Sequence, residues 1–180
     1  TNSGLGDITI DAYGYLYLAG SGRLQKLNKN GDQIRTWANM KTTGGDLVRP
    51  QGIAVDSDGC IFVSDVVRKA VYKLNPDGLP LLSWGKLGSG QGEFSRPDRI
   101  AIANDNTVYV TDSYYNSRVQ RFTSDGEFIQ EIGKMSAHCT TFSWPSSVAV
   151  SQSGAVYVCD SNHVKKLGLP GFVWVTSLRS

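Results

Sequence analysis

Histidine is scarce in this 180-residue chain, which has only His138 and His163; methionine is as rare and cysteine nearly so. Neither histidine stands in a motif that pairs it with a nucleophile, and no Gly-x-Ser-x-Gly elbow occurs. His138 beside Cys139 therefore reads as solvated loop. The three cysteines, Cys60, Cys139 and Cys159, leave at least one thiol unpaired. Their spacing fits neither a zinc site nor a dense disulfide framework, so they are expected to be buried or half-buried packing residues. No apolar run approaches the roughly 20 residues that span a bilayer, which excludes a membrane helix. An excess of one charge is also missing. The 18 Lys and Arg against 16 Asp and Glu leave a net charge of +2, which argues neither for nor against a nucleic-acid partner. Helical periodicity is absent too: no long stretch carries apolar residues three and four apart. The chain opens at Thr1 without the basic and apolar start of a signal segment, and it reads as a processed or excised segment whose compartment stays open, leaning to extracytoplasmic.

What is present is a repeat. Hydrophobic residues make up 40% of the chain, too many for disorder, and 20 glycines imply frequent turns. The chain aligns to itself four times, at Ile8-Thr-Ile-Asp, Ile53-Ala-Val-Asp, Ile100-Ala-Ile-Ala and Val148-Ala-Val-Ser, with offsets of 45, 47 and 48 residues. Each unit reads as four short strands. In the second unit these are Ile53–Val55, Cys60–Val63, Ala70–Leu74 and Leu81–Trp84, all β-branched or aromatic and bounded by Gly, Asn, Asp and Pro. Asn30-Gly31, Asp77-Gly78 and Asp125-Gly126 stand between the third and fourth strands of the first three units, and Pro170-Gly171 takes that place in the fourth. Such dipeptides tolerate the positive φ of tight hairpins. Four-stranded antiparallel units of this length are β-propeller blades. The expected fold is all-β, one domain over 1–180, with blades at about 5–50, 51–97, 98–145 and 146–180.

The consensus resembles the NHL repeat. Its carriers are Arg96-Pro97-Asp-Arg-Ile100, Val108-Tyr-Val-Thr-Asp112-Ser-Tyr-Tyr-Asn116-Ser-Arg118, Asp125-Gly126 and Arg49-Pro50-Gln-Gly52-Ile-Ala-Val-Asp56. The likeness covers nearly the whole chain and is strongest in the middle two units. At the ends it departs: Gly20 replaces the aspartate that closes strand two, and the loops after Gly20 and Asp160 are three residues shorter than that of the third unit. The resemblance implies a ring of about six blades, within the general range of about four to eight. Four blades then form an open arc, a small ring or part of a larger assembled propeller. An uncovered blade face exposes apolar surface and invites association.

The loop Asp112-Ser-Tyr-Tyr-Asn116-Ser-Arg118 is the most suggestive site. Tyr114, Tyr115, Asn116 and Arg118, with Arg68 one blade earlier, are the candidate ligand-binding residues, suited to stacking on a sugar, a base or a peptide. The competing structural role is that Asp112 and Arg118 tie blades together, as the NHL resemblance implies, with Asp65 and Arg68 the equivalent pair. The same loop resembles the peptidyl-hydroxyglycine amidating lyases, whose zinc-binding histidines directly follow the repeat's proline. Here Gln51, Asp98 and Ser146 stand in those places, so catalytic zinc lacks its three ligands. The run Gly85-Lys-Leu-Gly88-Ser-Gly90-Gln-Gly92 lacks the closing Lys-Ser/Thr of a phosphate loop and reads as an inter-blade connection. Asp56-Ser-Asp58-Gly59 reads as a hairpin turn, not a calcium loop. Some animal NHL domains bind RNA, but here Arg121 and Lys165-Lys166, placed to point outward, belong to no dense basic stripe.

The resulting expectation is a non-enzymatic binding scaffold with no cofactor and no metal. Its partner is a protein or another copy of the chain, with a peptide or carbohydrate ligand as a sub-case; nucleic acid and membrane are not expected. The competing class is a propeller lyase or hydrolase with a channel metal.

Overall fold

The computed structural model describes residues 4–38, 40–41, 46–133, 142–168 and 171–172. All the regular structure among them is β. Blade one comprises β1 (Leu5–Ile10), β2 (Leu16–Gly20), β3 (Arg23–Leu27) and β4 (Gln33–Ala38). Blade two comprises β5 (Pro50–Val55), β6 (Ile61–Asp65), β7 (Ala70–Leu74) and β8 (Pro80–Trp84). Blade three comprises β9 (Pro97–Ile102), β10 (Val108–Asp112), β11 (Arg118–Phe122) and β12 (Phe128–Ile132). Blade four comprises β13 (Pro145–Val150), β14 (Val156–Asp160), β15 (His163–Gly168) and β16 (Gly171–Phe172). Each blade is one antiparallel sheet with its strands in chain order. The four-blade propeller arrangement expected from the repeat is what the chain adopts.

Side-chain hydrogen bonds shape the hairpins. Asn28 Oδ1 accepts the amides of Asn30 and Asp32, and Asn75 Oδ1 those of Asp77 and Leu79. Asp56 Oδ1 likewise accepts from Asp58 and Cys60 at 3.0 and 2.8 Å, so the carboxylate that hinted at calcium closes a turn. Strand-two residues then alternate between two neighbouring blades, because side chains point to opposite faces. Tyr17, Ala19 and Leu24 of blade one pack with Ile53, Ile61, Val63, Tyr72 and Leu74 of blade two. Phe62 and Val71, on the other face of blade two, pack with Ile100, Val108, Val110 and Phe122. Tyr109 and Val119 repeat this against Val148, Val156, Val158 and Leu167. The core is thus three slabs between four sheets.

The inner strands approach closely. A Cβ on Gly52 would fall on the carbonyl oxygen of Asp98 in the next blade, and one on Gly6 would lie 2.7 Å from that of Gln51. Only glycine admits such backbone contact. Ser64 Oγ accepts the Gly52 amide at 2.8 Å and donates to the Asp98 carbonyl at 2.7 Å, stitching blade two to blade three. Farther out, the ring of Trp37 covers Gly78 and that of Trp84 covers Gly126, each reaching the following blade's hairpin. Strand β1 packs on β5, β5 on β9 and β9 on β13; among the described residues, β13 and β1 are not packed in that way. Among the described residues the arc is therefore open, and Ile8 and Ile10 at its first face are 57% and 62% exposed.

Candidate binding surface

The aspartate that ends the second strand organises one rim of the molecule. Asp65 Oδ2 accepts the amides of Val48 and Arg49, Asp112 Oδ1 those of Ser95 and Arg96, and Asp160 Oδ1 those of Ser143 and Trp144. In each case the carboxylate holds the two residues that lead into the innermost strand. Blade one has Gly20 instead, where a Cβ would lie 2.8 Å from the Gly6 nitrogen and the Leu5 Cα. Close backbone contact there leaves no room for the aspartate.

Blade three elaborates this device. Arg118 is 3% exposed. Its Nε donates to Asp112 Oδ2 at 3.1 Å, and its other nitrogens donate to Glu131 and to the carbonyls of Ser89, Gly90 and Glu93. Asn116 Nδ2 donates to Asp112 Oδ2 and to the Gly88 carbonyl. The glycine-rich segment before β9 is therefore an inter-blade connection laced onto Arg118. Its carbonyls, not its amides, face the cation, the reverse of a phosphate loop. Burial pushes the Asp112 carboxyl above its ordinary value, against the opposing pull of the Arg96 amide, Asn116 and Arg118. At Asp160 burial also pushes upward, but Lys165 and the Trp144 and Ser143 amides outweigh it and hold the carboxyl low.

The five candidate residues thus separate. Asn116 and Arg118 belong to the frame, with their donors occupied by protein. Arg68 is exposed, but its guanidinium turns to the Asp46 carbonyl at 3.0 Å; only its backbone amide meets Asp65, at 3.1 Å. The expected Asp65–Arg68 ion pair does not form, because Asp65 lies opposite Ala70 where Asp112 lies opposite Arg118. Tyr114 and Tyr115 stand outside the frame, 48% and 84% exposed, with ring centroids 4.5 Å apart in an edge-to-face arrangement. Sequence reasoning missed their third member. Trp144, 42% exposed, meets Tyr114 edge-to-face at 5.5 Å from the start of blade four. Ser117 Oγ lies 3.2 Å from the Tyr114 carbonyl oxygen and 3.1 Å from that of Ser143, so its one hydroxyl proton is shared between the two sides. Tyr114 has φ 71° and Ser117 φ 46°, left-handed values that a non-glycine residue adopts only when its surroundings impose them.

The inner strands carry a second polar group. Asp98, one of the residues after the repeat proline, accepts from Arg96 Nε at 3.1 and 3.2 Å and from the Ser113 hydroxyl. Arg99 Nη1 donates to the Gln51 carbonyl, and its Nε lies 3.7 Å from Asp7 Oδ1. Asp98 is thus committed within blade three. His138 and Cys139 lie outside the described residues. Cys60 is half-buried as expected, whereas Cys159 is exposed, because it points from the uncovered face of blade four.

The outward basic positions also find partners. Lys26, Lys73, Arg121 and Lys166 pair across strands with Tyr17, Phe62, Tyr109 and Tyr157, and each cation stands over that ring. Arg121 also bonds Asp105 at 2.8 Å, and Lys165 bonds Asp160. These are packing cations, one per blade, not a free basic stripe.

The comparisons with known proteins agree with this architecture. The family model of the NHL repeat matches residues 94–122 and 142–163. The second match falls in the fourth unit, one of the two end units that depart from the repeat's consensus. No curated protein matches the chain in sequence. Among solved structures, it resembles virginiamycin B lyase from Staphylococcus aureus, at 18% identity and TM-score 0.70, over 94% of this chain and 54% of that one. A gluconolactonase from Xanthomonas campestris is similar at 18% identity and TM-score 0.71, with 96% and 61% covered. A Bacteroides caccae protein of unknown function is similar at 15% identity and TM-score 0.68, with 96% and 59% covered. The chain therefore spans little more than half the length of the solved chains it resembles, and at these identities the likeness concerns the fold. The chain is thus a four-blade β-propeller that carries NHL repeats in its last two blades.

Proposed function

We propose that this chain is a non-enzymatic binding scaffold that engages a partner protein through its rim and its blade edges. The observation that carries this reading is the exposed cluster of Tyr114, Tyr115 and Trp144 on a frame whose polar groups are already bonded. Aromatic rings held on a rigid rim offer large contact area at little ordering entropy. The backbone strain at Tyr114 supports a role for its ring beyond packing. A peptide segment of the partner, or a sugar on it, would stack on these rings.

The competing class, a propeller lyase or hydrolase with a channel metal, finds less support in the residues. Gln51, Asp98 and Ser146 occupy the positions after the prolines, and the Asp98 carboxylate is committed to Arg96 and Ser113. Among the described residues no three His, Cys, Asp or Glu side chains gather as a metal would need. The RNA reading is weakened by the occupied cations.

Peptides selected from a displayed library against the whole chain test the proposal. Tyr115→Ala and Trp144→Ala are each expected to weaken the selected peptides about tenfold or more, as interface aromatics do. Enrichment that ignores both substitutions, or binding that instead needs added divalent metal, would sink it.

A further inference from the structure

We propose that two copies of this chain associate head to tail, with the open face of blade one in each copy receiving the open face of blade four in the other. The inference rests on the binding-scaffold reading and gives its self-association a defined surface. Each interface between blades joins two faces of constant make-up. The receiving face is apolar at fixed register: Ile53, Ile61, Val63 and Leu74 in blade two, Ile100, Val108, Val110 and Phe122 in blade three, and Val148, Val156, Val158 and Leu167 in blade four. Blade one carries Ile8, Leu16, Leu18 and Leu27 at the same register, joined by the same cross-strand pairs. Ile8 is 57% exposed where Ile53 is 2% exposed, and Leu16, Leu18 and Leu27 are half-buried where Ile61, Val63 and Leu74 are fully buried.

The delivering face is an aromatic flanked by a smaller apolar residue: Tyr17 with Leu24, Phe62 with Val71, Tyr109 with Val119. Blade four offers the half-buried Tyr157 and Val164, which no described blade covers, beneath Lys166 placed as Lys26 is over Tyr17. Two finer features agree. Ser64, which reaches the inner strand of the following blade, has its counterpart in the exposed Cys159. Gly78 and Gly126 are each covered by the preceding blade's tryptophan, whereas a Cβ on Gly31 would meet nothing within 4 Å. Among the described residues like faces nowhere meet, so pairing two receiving faces has no precedent there. The head-to-tail contact repeats an interface the chain already makes three times. It buries apolar surface at both ends, and two arcs joined at both ends give eight blades, within the known range of about four to eight.

Sedimentation of the full chain over a wide concentration range tests this. The expected mass at high concentration is twice 19.6 kDa. Leu18→Glu blocks the receiving face and Cys159→Arg the delivering face. Both lie on open faces, and circular dichroism and thermal unfolding check that the three interior interfaces survive. Each variant alone is expected to stay monomeric, while an equimolar mixture forms a one-to-one pair through the two unmodified faces. As a second readout, alkylation of Cys159 should slow as wild-type concentration rises, with Cys60 and Cys139 replaced by serine. A monomer at every concentration, a ladder of larger species, or either variant associating as wild type does overturns the proposal. Tyr115→Ala with Trp144→Ala leaves the two-copy mass unchanged, so failure of the rim reading and failure of this one are seen separately.

Discussion

Blades two and three differ from blades one and four in what surrounds them more than in what they are made of. Every residue of β6 and β10 is buried, whereas β2 and β14 contain partly buried or exposed positions. Yet Leu16 and Ile61 share one register position, as do Leu18 and Val63. The interior blades are sandwiched, and the end blades present an equivalent face to nothing in the described chain. A blade's burial is thus supplied by its neighbour, and stability in such an array is largely a sum over interfaces. The end blades also lack parts of the rim frame: Gly20 cannot serve as an aspartate, and Asp160 relies on Lys165 where Asp112 has Arg118.

The largest effect should come from breaking the frame of an interior blade. Arg118→Met leaves Asp112 buried without its cation and strands the carbonyls of Ser89, Gly90 and Glu93. A loss of about 3–5 kcal/mol in urea unfolding is expected; a loss below about 1 kcal/mol would show that solvent reaches Asp112. Next comes a direct contrast of interior and end. Ile61→Ala empties a packed slab and should cost about 2–5 kcal/mol, whereas Leu16→Ala at the open face should cost under about 1 kcal/mol in dilute protein. Equal costs at every concentration would show that the end face is covered in solution. A smaller contrast separates backbone from packing. Gly31 and Gly78 both have positive φ, 90° and 80°, so alanine at either pays roughly 1 kcal/mol for conformation alone. At Gly78 it must also displace the Trp37 ring, adding about 1–3 kcal/mol. If the two variants unfold alike, the tryptophan is not seated as described.

Much of the fold was legible because the information is local. The alternating strands, the Asn-Gly and Asp-Gly hairpins and the offsets of 45 to 48 residues can be read without knowing any contact. Which blade face is open could not be read, since it depends on how many neighbours are present. The candidate site was half legible. Tyr114 and Tyr115 announce themselves as adjacent aromatics in a polar loop. Trp144 lies in another repeat and joins them only because Asp160 holds its amide at the head of blade four. Arg118 looked like a ligand residue because its partners, the carbonyls of Ser89, Gly90 and Glu93, have no side-chain signature. The same limit hid the fate of Arg68, whose acceptor is also a backbone carbonyl.

The subtlest contrast lies in the pH dependence of the two rim aspartates. Each holds the two amides that lead into its own blade's first strand, but burial dominates at Asp112 and the lysine with the amides prevails at Asp160. The folded state therefore binds a proton at Asp112 more tightly than the unfolded chain does, and one at Asp160 less tightly. By linkage, the contribution of Asp112 is full below the ordinary value of 3.8 and is lost as pH rises through its raised folded value. The contribution of Asp160 is full above 3.8 and is lost as pH falls through its lowered folded value. Asp112→Asn should therefore flatten the loss of stability on going up from pH 3.8, whatever offset it adds. Asp160→Asn should flatten the loss on going down from the same point. Unfolding midpoints measured between about pH 2 and pH 6 separate the two limbs. If both substitutions alter the same limb, the two carboxylates sit in equivalent surroundings, and the difference between interior and end blades does not reach the rim.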